Sequence, residues 1–234
     1  MKNFSFVFAM CFISFSIGFI HSCTKDAGTP IPRNTPPDPV ITTSFIEEFQ
    51  DVPMLTTTAN GWVKKNNSAD EIDYGLTDWG QGIWGTDKSG LEYGFAAYSY
   101  SSYKDEYAFS GQSYDSISSW LISPVLSVKN GDKISFYTRV DSKSSAEDRM
   151  QVLMNKSTST DIGNKLSAGS FTTTLLDINP DETTDGYPSY WKKYEYTFSN
   201  ISGAIKTRIA FRHYVVNPKN GTGVALDVFE FQVR

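Results

Sequence analysis

Cysteine is almost missing from this sequence: of 234 residues only Cys11 and Cys23 are thiols, both before residue 24. No disulfide can therefore staple the rest of the chain, and a thiolate zinc site is excluded. Histidine is as scarce, with His21 and His213 alone. A single histidine beyond Cys23, with no G-x-S-x-G elbow, gives serine–histidine catalysis no footing. Zinc would be left with carboxylates, a poor donor set for that ion. Basic clusters are also missing, and the formal charge is -5. That balance argues against nucleic acid and against anionic lipid headgroups as partners. There is no phosphate-cradling glycine loop, and no helical periodicity of useful length after the leader.

What the chain does have begins at its start. Met1 to Ser22 carries one cation, Lys2, and then the apolar run FSFVFAMCFISFSIGFI, with no further charge until Lys25. This pattern reads as an export signal, residues 1–22. Its length also permits an uncleaved anchor. The ending Ile20-His21-Ser22-Cys23 resembles a bacterial lipobox, with His21 departing from the usual small or aliphatic residue. The resemblance implies that Cys23 becomes a lipidated N-terminus. Each buried acyl methylene contributes about 0.8 kcal/mol, so several chains hold a protein on its membrane. Loss of Lys2 would take the formal charge from -5 to -6.

Residues 23–43 continue as TKDAGTPIPRNTPPDPVITT after the cysteine, a Pro/Thr-rich tract that reads as a semi-rigid spacer. Residues 44–234 are long enough to bury about 70% of their unfolded surface in one core. The expected organisation is thus leader, lipidated spacer and one domain, with the chain ending inside its last strand at VALDVFEFQVR and attachment through Cys23 alone. An outer-membrane lipoprotein, displayed on the cell surface, is the localisation this implies.

Between turn signals the domain is a succession of aromatic and β-branched runs, among them SFIEEFQ, GWVKK, YGFAAYSY, SWLISPVLSV, KISFYTRV, RMQVLMN, WKKYEYTF, IKTRIAFRHY and VALDVFEFQV. Alternation is clear in Ile134, Phe136 and Thr138 against Lys133, Ser135 and Tyr137, which wets one face. Asn130-Gly131 and Asn220-Gly221 accept the positive φ of tight turns. Many strands without intervening helices predict an all-β, two-sheet antiparallel β-sandwich, a jelly roll.

The order SFIEEF, Gly61-Trp62, FAAYSYSS, SSWLISPVLSVKNGDKISFYTRV, DRMQVLMN, RIAFRHY and GVALDVFEF resembles the choice-of-anchor J and cleaved-adhesin domains, MAM-like jelly rolls of bacterial surface proteins. The likeness spans nearly everything after the spacer. Such domains usually read E-x-F in the first strand, here Glu47 and Phe49, and D-D-V in the last, here Leu226, Asp227 and Val228. In relatives such acids help to hold a structural calcium ion, which makes Glu47 and Asp227 candidate metal ligands. Calcium takes six to eight oxygens, and Leu226 removes one acid from the family's pattern.

Glu71-Ile72-Asp73 invites comparison with the E-x-D-x-x-E strand of sandwich-fold glycoside hydrolases. Leu76 stands where the second glutamate belongs, and the acids lie among turn residues. Retaining hydrolysis needs two carboxyls about 5 to 5.5 Å apart. The stretch from Tyr74 to Tyr114 is richer, interleaving Trp79, Trp84, Tyr93 and Tyr98 with Gly, Ser, Asp and Lys. Flat rings with polar neighbours suit the C–H faces and hydroxyls of sugars, although tyrosines also serve as ordinary strand residues. Trp79 and Trp84, in DWGQGIWG, are expected to present exposed rings, with Tyr93 and Tyr98 beside them. Three functions follow: a lipid-anchored surface binding or adhesion module for glycan, an assembly lipoprotein whose partner is another surface protein, and a carboxylate-dependent hydrolase. The first accounts for most of the sequence. Trp120 in SSWLISPVLSV is expected in the core with Ile122 and Val125, and Pro124 at an edge or bulge.

Overall fold

The computed structural model describes residues 38–49, 61–68, 79–82, 96–99, 116–140, 147–216 and 223–234. All of them fall within one unit, Pro37–Arg234. Cys23, Glu71, Asp73, Leu76, Trp84, Tyr93 and the turn at Asn220-Gly221 lie outside the described residues.

Thirteen strands and no α-helix are found among the described residues. One sheet contains β1 (Val40–Ile41), β3 (Val63–Asn66), β6 (Ile117–Ile122), β7 (Val125–Val128), β9 (Met150–Asn155), β10 (Thr173–Ile178) and β12 (Ile205–Val215). The other contains β2 (Phe45–Glu47), β4 (Gly80–Gly82), β5 (Ala96–Ser99), β8 (Lys133–Val140), β11 (Lys192–Thr197) and β13 (Val224–Gln232). The two-sheet sandwich expected from the alternation is the observed architecture.

Strand β12 is the spine of the first sheet. Along one side it pairs first with β7, Ile205 opposite Val128, and then with β6, Ala210 opposite Ile122; its other side takes β9. Ser123-Pro124 interrupts what would otherwise be one continuous partner strand. Proline brings no N–H to a ladder. Ser123 repairs the gap: its N–H donates to Ile209 O at 2.7 Å, and its Oγ accepts from Ile209 N at 2.9 Å. The proline therefore sits at a break between two strands, as its chemistry requires.

Alternation along β12 sends Ile209 and Phe211 toward the second sheet. There they join Leu121, Leu126, Phe136, Val152, Leu226, Phe229 and Phe231 in the main core. Trp62 stands edge-on to Phe229 at 5.2 Å and to Phe49 at 5.2 Å, and Phe136 packs edge-on to Phe211 at 5.0 Å. Such edge-to-face contacts suit the ring quadrupoles.

A second, smaller core lies on the opposite face. Trp120 and Ile122 are buried as expected, but with Leu153, Ile162, Phe171 and Ala210 rather than inside the sandwich. Asn67 fastens this cover: its Oδ1 accepts from Trp120 Nε1 at 2.9 Å, and its Nδ2 donates to Ile162 O at 2.9 Å and to Ser167 O at 3.0 Å. Arg212, also on this face, has its guanidinium 4.7 Å from the Trp120 ring and 3.8 Å from the Tyr214 ring. It donates to Ser118 Oγ, Gln151 Oε1 and Leu166 O, which satisfies a cation whose burial pulls its pKa down to about 10.

The fold also begins earlier than residue 44. Val40 and Ile41, assigned from sequence to the spacer, form β1, pair in parallel with Val125 and Leu126, and Ile41 packs on the main core. A two-residue strand in a proline-rich tract carries no periodicity to read.

Candidate functional site

Glu47 ends β2, the short strand that pairs with the last half of β13, where it stands opposite Phe229. Its Oε1 accepts the Phe49 N–H at 2.8 Å, closing a local turn in which Phe49 adopts φ 54°. Asp227 lies two residues before Phe229 on β13, at a register shift against β8 between Asp227 and Glu230. Its Oδ1 accepts the Val228 N–H at 2.8 Å, and Val228 takes φ 47°. A β-branched residue with positive φ is an outlier. The irregular backbone at Phe49 and Val228 thus brackets two buried carboxylates.

Burial raises the Asp227 carboxyl to about 7, the Val228 hydrogen bond opposes that rise, and the charge of Glu48 adds to it. The acid whose charge is felt at Asp227 is therefore the exposed Glu48, the neighbour of Glu47. A cation placed here would relieve both the burial and the like charge. The described donors do not complete a calcium shell: among the described residues no three His, Cys, Asp or Glu gather at metal-binding spacing. Six to eight oxygens would need carbonyls, waters or residues beyond these.

The aromatic candidates divide. Trp79, expected from the sequence as an exposed ring, is instead buried at 1% exposure in the main core, with Nε1 donating to Ser119 O at 3.2 Å. The reason is β4, which starts at the next residue and draws Trp79 inward. Tyr98 lies in β5, with its backbone opposite Ala225 on one side and Gly80 on the other. β4 and β5 pair antiparallel at one end of the second sheet's strand order, so residues 83–95, which include Trp84 and Tyr93, connect two neighbouring strands.

His213 acquires a partner that sequence inspection missed. Its Nε2 lies 3.0 Å from Asp148 Oδ1, and Gly223 N donates to the same oxygen at 3.2 Å. Both side chains are fully buried. Ser119 stands opposite His213 across β6 and β12, but its buried hydroxyl has no hydrogen-bond partner among the described residues. The pair thus activates no serine at this position, and it ties the entry of β9 to the end of β12. Only the short run DRM before β9 hinted at Asp148, and nothing in it names a partner 65 residues away.

The fold has counterparts among solved structures. Three cleaved adhesin domains of Lys-gingipain superpose on it, K1 and K3 from Porphyromonas gingivalis. The K2 domain gives a TM-score of 0.53 at 20% identity, covering 82% of this chain and 100% of that one. The K3 domain gives 0.51 at 18%, covering 81% and 98%. The K1 domain gives 0.50 at 20%, covering 82% and 99%. No protein-family profile and no curated protein matches the sequence. The chain therefore has an adhesin-like jelly-roll fold.

Proposed function

We propose that this chain is a lipid-anchored binding module of the outer-membrane surface, with glycan as its ligand. The observation that carries the reading is the composition of the aromatic tract, whose Trp84, Tyr93 and Tyr98 are interleaved with Gly, Ser, Asp and Lys. In sequence Trp84 and Tyr93 lie between β4 and β5, outside the described residues, Tyr98 belongs to β5, and Trp79 is buried in the core. Aromatic rings among polar neighbours suit the C–H faces and hydroxyls of a sugar. The shared adhesin-like fold is compatible with binding but does not choose a ligand, because sandwiches host many functions. Cys23, with its lipobox-like approach, supplies the anchor and the proline-rich tract the standoff.

A structural calcium ion at the junction of β2 and β13 is part of the same proposal. Its support is chemical: Asp227, buried and beside Glu48, is a carboxyl whose ionised form needs a counter-charge. Calorimetric titration should show calcium uptake, and chelator should lower the melting temperature. No heat and no change in melting would remove calcium from the account.

The ligand test is a glycan array probed with full-length protein and with Trp84→Ala and Tyr93→Ala. Binding should fall at least about tenfold in the variants, equivalent to roughly 1.4 kcal/mol, with melting unchanged. Capture of another protein with no carbohydrate affinity would favour the assembly reading instead.

A further inference from the structure

Arg208 points to an interaction site distinct from the aromatic tract. Its side chain is 1% exposed, yet its carboxylate partner among the described residues is Asp38, which is 63% exposed and lies in the segment leading into the fold. Two other guanidinium donors go to main-chain oxygens, Nε to Thr158 O at 2.9 Å and one terminal nitrogen to Ser123 O at 2.7 Å. The cradle is therefore fixed by the β6–β7 break and the segment after β9, while the counter-ion arrives from elsewhere in sequence. Two residues after Asp38, Val40 and Ile41 pair with the edge of β7, the one parallel pairing among the described strands. Pro36, Pro37 and Pro39 lack N–H groups and so add no donors to this ladder on its N-terminal side. A two-residue ladder, the Ile41 side chain and one charged contact are what the described structure shows seating the segment.

We propose that the Arg208 guanidinium and the β7 edge form a strand-acceptor site for an acidic extended peptide of the type Asp-Pro-Val-Ile, filled in this chain by its own Asp38–Ile41. The two parts read different features. Arg208 takes a carboxylate two residues ahead of the ladder, and the β7 edge takes an extended backbone carrying β-branched residues, the second of which packs on the core. This is strand addition with a charge-reading pocket at its head. Emptying it leaves a buried cation without its counter-ion, a costly state, so the site demands an occupant. The junction between tract and fold is on this view a clamp that an equivalent acidic strand can replace.

The test uses the full chain. Asp38→Asn should lower the melting temperature by about 3 to 8 °C, whereas Asp38→Glu keeps most of it. Sodium formate should restore part of the loss in Asp38→Asn beyond what equimolar chloride does, and should leave the wild type as chloride leaves it. In the doubly substituted chain Asp38→Asn, Ile41→Pro, whose own segment cannot seat, a labelled acetyl-Asp-Pro-Val-Ile-Thr-Thr-amide should bind at least about tenfold tighter than its Asn counterpart. The wild-type chain, its site filled, should bind neither. Melting of Asp38→Asn within about 1 °C of wild type, or no formate-specific recovery, would overturn the proposal even if the double variant fails to fold. Equal binding of the Asp and Asn peptides would overturn it as well. Glycan binding is untouched by either result, so the two readings fail separately.

Discussion

Asp227 concentrates the residue-scale chemistry. Burial lifts its folded pKa to about 7, from an ordinary aspartate value of 3.8. Between those values the unfolded chain has released the proton and the folded chain still holds it. The contribution of Asp227 to stability is then full at low pH and is lost as pH rises through this window, because at this group the native state binds more protons. A tenfold change in proton affinity is worth about 1.4 kcal/mol, so the loss is of order 4 kcal/mol by pH 8. Asp227→Asn, which can still accept the Val228 N–H, should reduce the slope in urea titrations across pH 4 to 8 and be the more stable protein at pH 8, with the raised carboxyl of Glu182 left to titrate. Saturating calcium should flatten the same slope in the wild type. Trp120 is a packing residue by comparison: Trp120→Ala should cost about 3 to 5 kcal/mol in denaturant unfolding. Its burial was legible because it alternates with Ile122 inside a run of aliphatics. The burial of Trp79 was not, since the glycines on its far side look like a loop while they build β4. The role of Asp148 was not legible, because it depends on His213 and Gly223, far away in sequence.

Among elements, the proline break shows how far local pattern carries. Pro124 announces that no regular ladder passes through it, and the structure adds that Ser123 supplies the substitute acceptor. Ser123→Ala leaves the Ile209 N–H buried without that oxygen, which should cost roughly 1 to 3 kcal/mol, measured by urea denaturation. Ser123→Thr, which keeps the hydroxyl, should cost less if its methyl fits. Strand β8 was visible from its period of two, β13 as an aromatic and β-branched run, and the turn at Asn130-Gly131 from its chemistry, borne out by φ 91° at Gly131. Strand β1 was not visible, because its two residues sit in a proline-rich tract and are held by β7 and Arg208. The second core was hidden too: Ile162 lies outside the aromatic and β-branched runs, and Asn67 pins its segment from another part of the chain.

At the scale of the whole molecule, the proposed protein is an adhesin-like sandwich carrying an N-terminal anchor and an aromatic ligand surface. Replacing Cys23 with Ala should move the protein from the membrane fraction to the soluble fraction; continued membrane association would point to an uncleaved apolar leader instead. Neither result bears on what the sandwich binds. That claim rests on the aromatic tract, in which Trp79 is buried at 1% exposure and Trp84 is the tryptophan proposed for the ligand. The most direct measurement is a glycan array run in parallel with thermal melting on wild type, Trp79→Ala and Trp84→Ala. Trp84→Ala should lose glycan binding at unchanged melting temperature, while Trp79→Ala should melt much lower. Glycan binding that survives Trp84→Ala, or no glycan bound by the wild type, would contradict the proposed function.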